Sequence, residues 1–70
     1  MEFIPNKIDL ALMLWDDGDF LATKMNGVRI SLYKYNKRFY VIYYTNENHI
    51  EKIEIVSLQT AKKMFKNYIF

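Results

Sequence analysis

The chain has 70 residues, 51% of them hydrophobic, 17% aromatic and 26% charged, with a formal net charge of +2. That is the make-up of a folded chain forming one domain, 1–70, and the charge is too slight to demand a polyanionic partner. With no cysteine and a single histidine, His49, disulfides, thiolate nucleophiles, Cys-ligated metal centres and a His-rich metal site are excluded, and no cofactor is expected.

Chains this short bury only about 60% of the surface that their unfolded form exposes, and are commonly supplemented by disulfides, a metal or a partner subunit. A partner subunit is the expected supplement here. The longest apolar run, LALMLW at 10–15, falls far short of the about 20 residues that a membrane-crossing helix needs. The opening MEFIPNKIDL carries Glu2 and Pro5 and no small-residue cleavage site, so a cytoplasmic chain without a leader is expected.

In chain order, Asn6 is placed to cap a helix, and Ile8, Ala11, Leu12 and Trp15 follow at i, i+3, i+4 and i+7. Leu10, Met13 and Leu14 add apolar residues off that stripe, which implies a helix buried on more than one side or meeting another subunit. Ile8, Leu10, Leu12 and Leu14 also alternate as a strand would. Gly18, within Asp16-Asp17-Gly18-Asp19, is expected to end the segment with a positive φ. Asn26-Gly27 is the preferred pair for a type I′ hairpin turn and predicts strands over 20–25 and 28–35. Connections at 36–38 and 46–49 then set off strands over 39–45 and 50–56. Ser57 caps a final helix on which Leu58, Ala61, Phe65, Tyr68 and Ile69 share one stripe, leaving Lys62, Lys63 and Lys66 on the flank and outer side. The fold class is therefore α+β: an N-terminal helix, a four-stranded antiparallel meander, and a C-terminal helix packed on one sheet face.

A two-residue turn at Asn26-Gly27 sets Leu21 opposite Leu32, and a turn at 36–38 sets Tyr35 opposite Phe39 and Leu32 opposite Ile42. A third loop at 46–49 sets Ile42 opposite Ile53 and Tyr40 opposite Ile55. Period-two alternation then groups Leu21, Met25, Val28, Ile30, Leu32, Tyr40, Ile42, Tyr44, Ile53 and Ile55 on one face. The other face holds Phe20, Ala22, Lys24, Arg29, Ser31, Tyr33, Tyr35, Phe39, Val41, Tyr43, Lys52 and Glu54. Aromatics interleaved with cations are what a single-strand nucleic-acid platform uses. The commoner reason for such residues is that Tyr, Phe and Val favour strands and that a helix or second subunit covers them.

Asp16, Asp17 and Asp19 lack the spacing of an EF-hand loop and read as an acidic turn. His49, near Glu47 and Glu51, has no nucleophile tied to it by motif, and Gly18 and Gly27 form no phosphate-binding loop. No enzymatic activity is expected.

The matching positions Phe20, Leu21, Ala22, Leu32, Tyr33, Phe39, Tyr40, Val41, Tyr44, Ile50 and Ile53 resemble a "fLA…G…v.LY…FyVev.Y…I..I" pattern of small bacterial proteins without an assigned activity. The resemblance covers about two-thirds of the chain and implies a meander followed by a short helix. The run from Val41 to Tyr68 is also similar to ribonuclease toxins of toxin–antitoxin pairs, through Ser57, Ala61, Lys62, Lys63 and Tyr68. The final Tyr is displaced by one residue there, and the N-terminal part of the toxin pattern is missing, so no catalytic residue carries over.

The first expectation is a non-enzymatic interaction module, a homodimer or a partner of another protein, using Leu10, Met13, Leu14, Trp15 and the Tyr33, Tyr35, Phe39 and Tyr43 face. The alternative is binding of RNA or single-stranded DNA, with Lys24, Arg29, Lys52, Lys62, Lys63 and Lys66 on phosphates and Tyr33, Tyr35 and Tyr43 stacking on bases.

Overall fold

A computed structural model describes residues 6–70; Glu2 and Pro5, on which the reading of the amino terminus rests, lie outside the described residues. The order of elements is α1 (Lys7–Asp17), β1 (Asp19–Asn26), β2 (Val28–Tyr35), β3 (Arg38–Tyr44), β4 (Ile50–Val56) and α2 (Leu58–Met64). The strands form one antiparallel sheet in the order β1-β2-β3-β4, so the α+β meander with a helix at each end is the fold of the chain.

Both helices start as their caps dictate. Asn6 Oδ1 accepts from the Asp9 amide at 2.8 Å, and Ser57 Oγ accepts from the Thr60 amide at 3.1 Å, each satisfying one of the donors that a helix N-terminus leaves unpaired. The helix ends differ from expectation. Gly18 has φ −83°, not a positive value, and its amide donates to Leu14 O at 3.0 Å. A Cβ there would lie 2.6 Å from that same oxygen, so glycine is suited to the position by close approach. The second helix stops at Met64, short of the 58–69 stripe. Lys24 Nζ reaches from β1 to donate to Met64 O at 2.6 Å, and the Tyr68 amide donates to Phe65 O at 3.1 Å in a following turn.

The two helices lie on opposite faces of the sheet. Ala11 and Leu14 of α1 pack with Tyr40, Ile42 and Tyr44, joined by Leu10, Tyr33, Tyr35, Ile50 and Ile53. Ala61 and the following Phe65 pack with Ile30, Leu32 and Val41, joined by Leu21, Ala22, Phe39, Tyr43, Val56 and Tyr68. The sheet is thus a middle layer with two small cores. This accounts for the shortage of polar residues on either of its faces, since a strand covered on both sides has no solvent side to alternate with.

The registers correct the expected face assignments. Of the residues at the first turn only Gly27 takes a positive φ, 79°, so Asn26-Gly27 is not type I′, which needs positive φ at both positions. Met25 pairs with Arg29 and Ala22 with Leu32, one residue away from the expected register. An irregularity between Phe20 and Ala22 then returns Phe20 to the side of Tyr33, the two rings meeting edge to face with centroids 5.5 Å apart. The type I′ geometry falls instead at Asn36 and Lys37, φ 52° and 65°, which closes β2 onto β3 with Tyr35 opposite Arg38 and Leu32 opposite Val41. The expected pairs Ile42 with Ile53 and Tyr40 with Ile55 are present. A one-residue slip moves every side chain to the other face. Leu32 therefore shares its side with Val41 and Phe39, while Ile42 and Tyr40 lie across the sheet under α1.

Candidate interaction surfaces

Leu14 is fully buried and Leu10 and Met13 are part-buried, so of the four α1 residues expected at an interface only Trp15 is exposed. The stripe that reaches the sheet is Leu10, Ala11 and Leu14, with Lys7 at its start donating through Nζ to Glu51 O of β4 at 3.3 Å. Offset around the helix lies Ile8, Leu12 and Trp15, at i, i+4 and i+7, exposed by 50%, 48% and 45%. A helix with two apolar stripes has one more than its own sheet can cover. Trp15 sits between two shallow depressions. One is lined by Lys7, Ile8, Glu47, His49 and Ile50, the other by Phe20, Thr23, Arg29, Ser31, Tyr33 and Tyr44. Phe20, 56% exposed, continues the apolar surface onto β1, an edge strand.

The aromatic face expected as a contact surface is divided by the register. Tyr33 and Tyr35 lie beside α1, and Phe39 and Tyr43 lie on the α2 side. Burial, and secondarily the neighbouring Tyr44, raises the pKa of the Tyr33 hydroxyl, against the opposing effects of a Trp15 hydrogen bond and the Arg29 charge. Burial and then Glu54 raise that of Tyr43, against Lys52.

The expected phosphate-binding cations separate in the same way. Arg29 stands over the Tyr44 ring at 4.2 Å on the α1 side. Lys24 is committed to Met64 O and lies 5.4 Å from the Phe65 ring centroid. Lys52 pairs with Glu54 at 2.8 Å and stands 4.7 Å over Tyr43; the Glu54 hydrogen bond, with its charge, raises the Lys52 pKa. Lys62, Lys63 and Lys66 are exposed on and just beyond α2.

Sequence reading missed Lys34, Lys37 and Phe70, which the fold brings to the same side. Lys34, Lys37 and Lys62 surround a groove of about 400 Å³ with Leu21, Phe39, Leu58, Tyr68 and Phe70. Lys24, Lys63, Lys66 and Tyr68 line a second groove of about 540 Å³. Lys62, Lys63 and Lys66 form a local basic run that the sequence shows, but Lys34 on β2 and Lys37 in the following turn do not belong to it; only the meander register, with Lys34 paired to Phe39, could have placed them there.

His49 Nε2 lies 3.9 Å from Glu47 Oε2 in the exposed β3–β4 loop, where the Thr45 hydroxyl accepts from the His49 and Glu47 amides at 3.2 and 3.3 Å and so serves the turn. Among the described residues no three His, Cys, Asp or Glu side chains gather as a metal-holding cluster, and no helix is long and apolar enough to cross a membrane. Asp16, Asp17 and Asp19 stay an exposed acidic segment. No protein family, curated protein or solved structure matches the chain.

Proposed function

We propose that the chain is a non-enzymatic, cytoplasmic interaction module that works as a homodimer, joined through the outward stripe of α1. The observation that carries this reading is the half-exposed series Ile8, Leu12 and Trp15 on a helix whose Leu10, Ala11 and Leu14 are already committed to the sheet. Phe20 widens the patch across the helix–strand junction. Contiguous apolar surface of this kind marks interaction sites, and a second copy is the occupant because symmetric pairs are the commonest soluble assemblies. The pressure toward assembly comes from size. Two small cores, one on each sheet face, stabilise the chain without disulfides, and covering the second stripe adds apolar burial that the single chain lacks.

Solution mass measured across protein concentration tests the reading, with Leu12→Ser and Trp15→Ser beside the parent chain. A dimer that both substitutions disperse supports it. A parent chain that stays monomeric at high concentration contradicts it.

A further inference from the structure

Beyond self-association, and on the opposite side of the sheet, the two lysine-lined grooves beside α2 have a chemistry of their own. In the first, Lys34, Lys37 and Lys62 stand around Phe39, Tyr68 and Phe70. The rings form an edge-to-face series, Phe39 to Phe70 at 5.9 Å and Phe70 to Tyr68 at 4.8 Å, and Lys34 Nζ is 5.7 Å from the Phe39 centroid. Tyr68 also lines the second groove, which holds Lys63 and Lys66. Glu54, a nearby acid on this side of the sheet, is occupied by Lys52. Asp9, Asp16 and Asp17 all sit on α1, across the sheet, and Asp19 is the cross-strand neighbour of Lys34 at the end of β1.

We infer that this side of the molecule binds single-stranded nucleic acid, phosphates lying along the lysines and bases against Phe70 and Tyr68. Three features choose this occupant. The lysines are complementary to a polyanion, and their distribution over two grooves that meet at Tyr68 suits an extended chain better than one phosphate group. The exposed Phe70 ring, with the part-buried Tyr68 beside it, offers a π face on which a base can stack. A duplex keeps its bases stacked inside, out of reach of the Phe70 and Tyr68 rings, and among the described residues the helix on this side, α2, has only seven residues.

The test is fluorescence anisotropy of a labelled oligothymidylate titrated with the full chain over a range of salt, with heparin and a duplex of equal length as competitors. The expected result is affinity that falls steeply with salt. The slope should flatten by about 0.7 for each of Lys34, Lys37 and Lys62 changed to Gln. Phe70→Ala, at an exposed position, should weaken binding about tenfold with the salt slope unchanged. No binding at low salt overturns the inference. So does an indifference to Phe70→Ala with heparin competing as well as the oligonucleotide, which would describe a bare charged surface. Preferential binding of the duplex also overturns it.

Discussion

Val41 and Ile42 are neighbours in β3, leave the sheet on opposite faces, and are both 0% exposed. Val41 lies in the core with Phe65, and Ile42 in the core with Leu14. Each side chain contributes about 1.5–3 kcal/mol by burial. Truncating either to Ala is expected to cost about 2–4 kcal/mol, with the cavity included. Denaturant unfolding of the two variants checks this. A sheet with one solvent face would leave one of them near neutral.

Leu14 and Leu12, two positions apart on α1, are expected to behave oppositely. Leu14→Ala removes a fully buried side chain and should destabilise the chain by about 2–5 kcal/mol. Leu12→Ser, in the half-exposed stripe, should change the stability of the monomer by no more than about 0.5 kcal/mol. Thermal melts at low protein concentration, where association does not contribute, separate the two.

The close approach at Gly18 and the left-handed residue at Lys37 predict changes of opposite sign. Gly18→Ala places a Cβ 2.6 Å from Leu14 O, so the helix end must shift, at a cost of about 1–3 kcal/mol. Lys37 holds φ 65°, which costs a residue with a Cβ about 1–2 kcal/mol. Lys37→Gly gives this turn the Asn-Gly pair that its geometry favours and is expected to raise the melting temperature, part of the relief being offset by the entropy of glycine. A rise on Gly18→Ala, or a fall on Lys37→Gly, would contradict the turn geometry.

Stability should fall on the alkaline side. Tyr33 and Tyr43 are raised above the ordinary value of 10.0, chiefly by burial, and Lys52 above 10.5, chiefly by its hydrogen bond to Glu54. When the folded value exceeds the unfolded one, the contribution is present in full below the unfolded value and is lost as pH rises through the folded value. Melting temperature is therefore expected to fall as pH rises past 10.0, where the unfolded tyrosines release their protons first. Tyr43→Phe should soften that fall, and a profile unchanged by it would show that Tyr43 does not take part.

The strands, their order and both helix caps were legible because each rests on a local signal: Asn6 and Ser57 as caps, β-branched and aromatic runs between polar breaks. The registers of the first two hairpins were not. They depend on which turn residue accepts a positive φ, and Asn36-Lys37 looks in sequence like any polar connection, whereas Asn26-Gly27 looks like the turn that it is not. One residue of slip at each hairpin then mixed the faces and joined Tyr33 to Tyr43 on one surface. On α1, Ile8, Ala11, Leu12 and Trp15 satisfy the helical period as well as Leu10, Ala11 and Leu14 do. The choice between them rests on packing against β3 and β4, which periodicity does not contain. The lysine groove was out of reach for a related reason, since Lys34, Lys37, Lys62 and Phe70 converge only through the fold.

The outward stripe of α1 is tested most directly by light scattering across protein concentration, with Leu12→Ser/Trp15→Ser as the double variant, because both side chains are exposed and their loss should leave the fold intact. The expected result is a dimer mass for the parent chain and a monomer mass for a double variant that keeps its far-ultraviolet spectrum and melting transition. A parent chain that remains a monomer at the highest concentration, or a dimer that the double variant does not disperse, would contradict it.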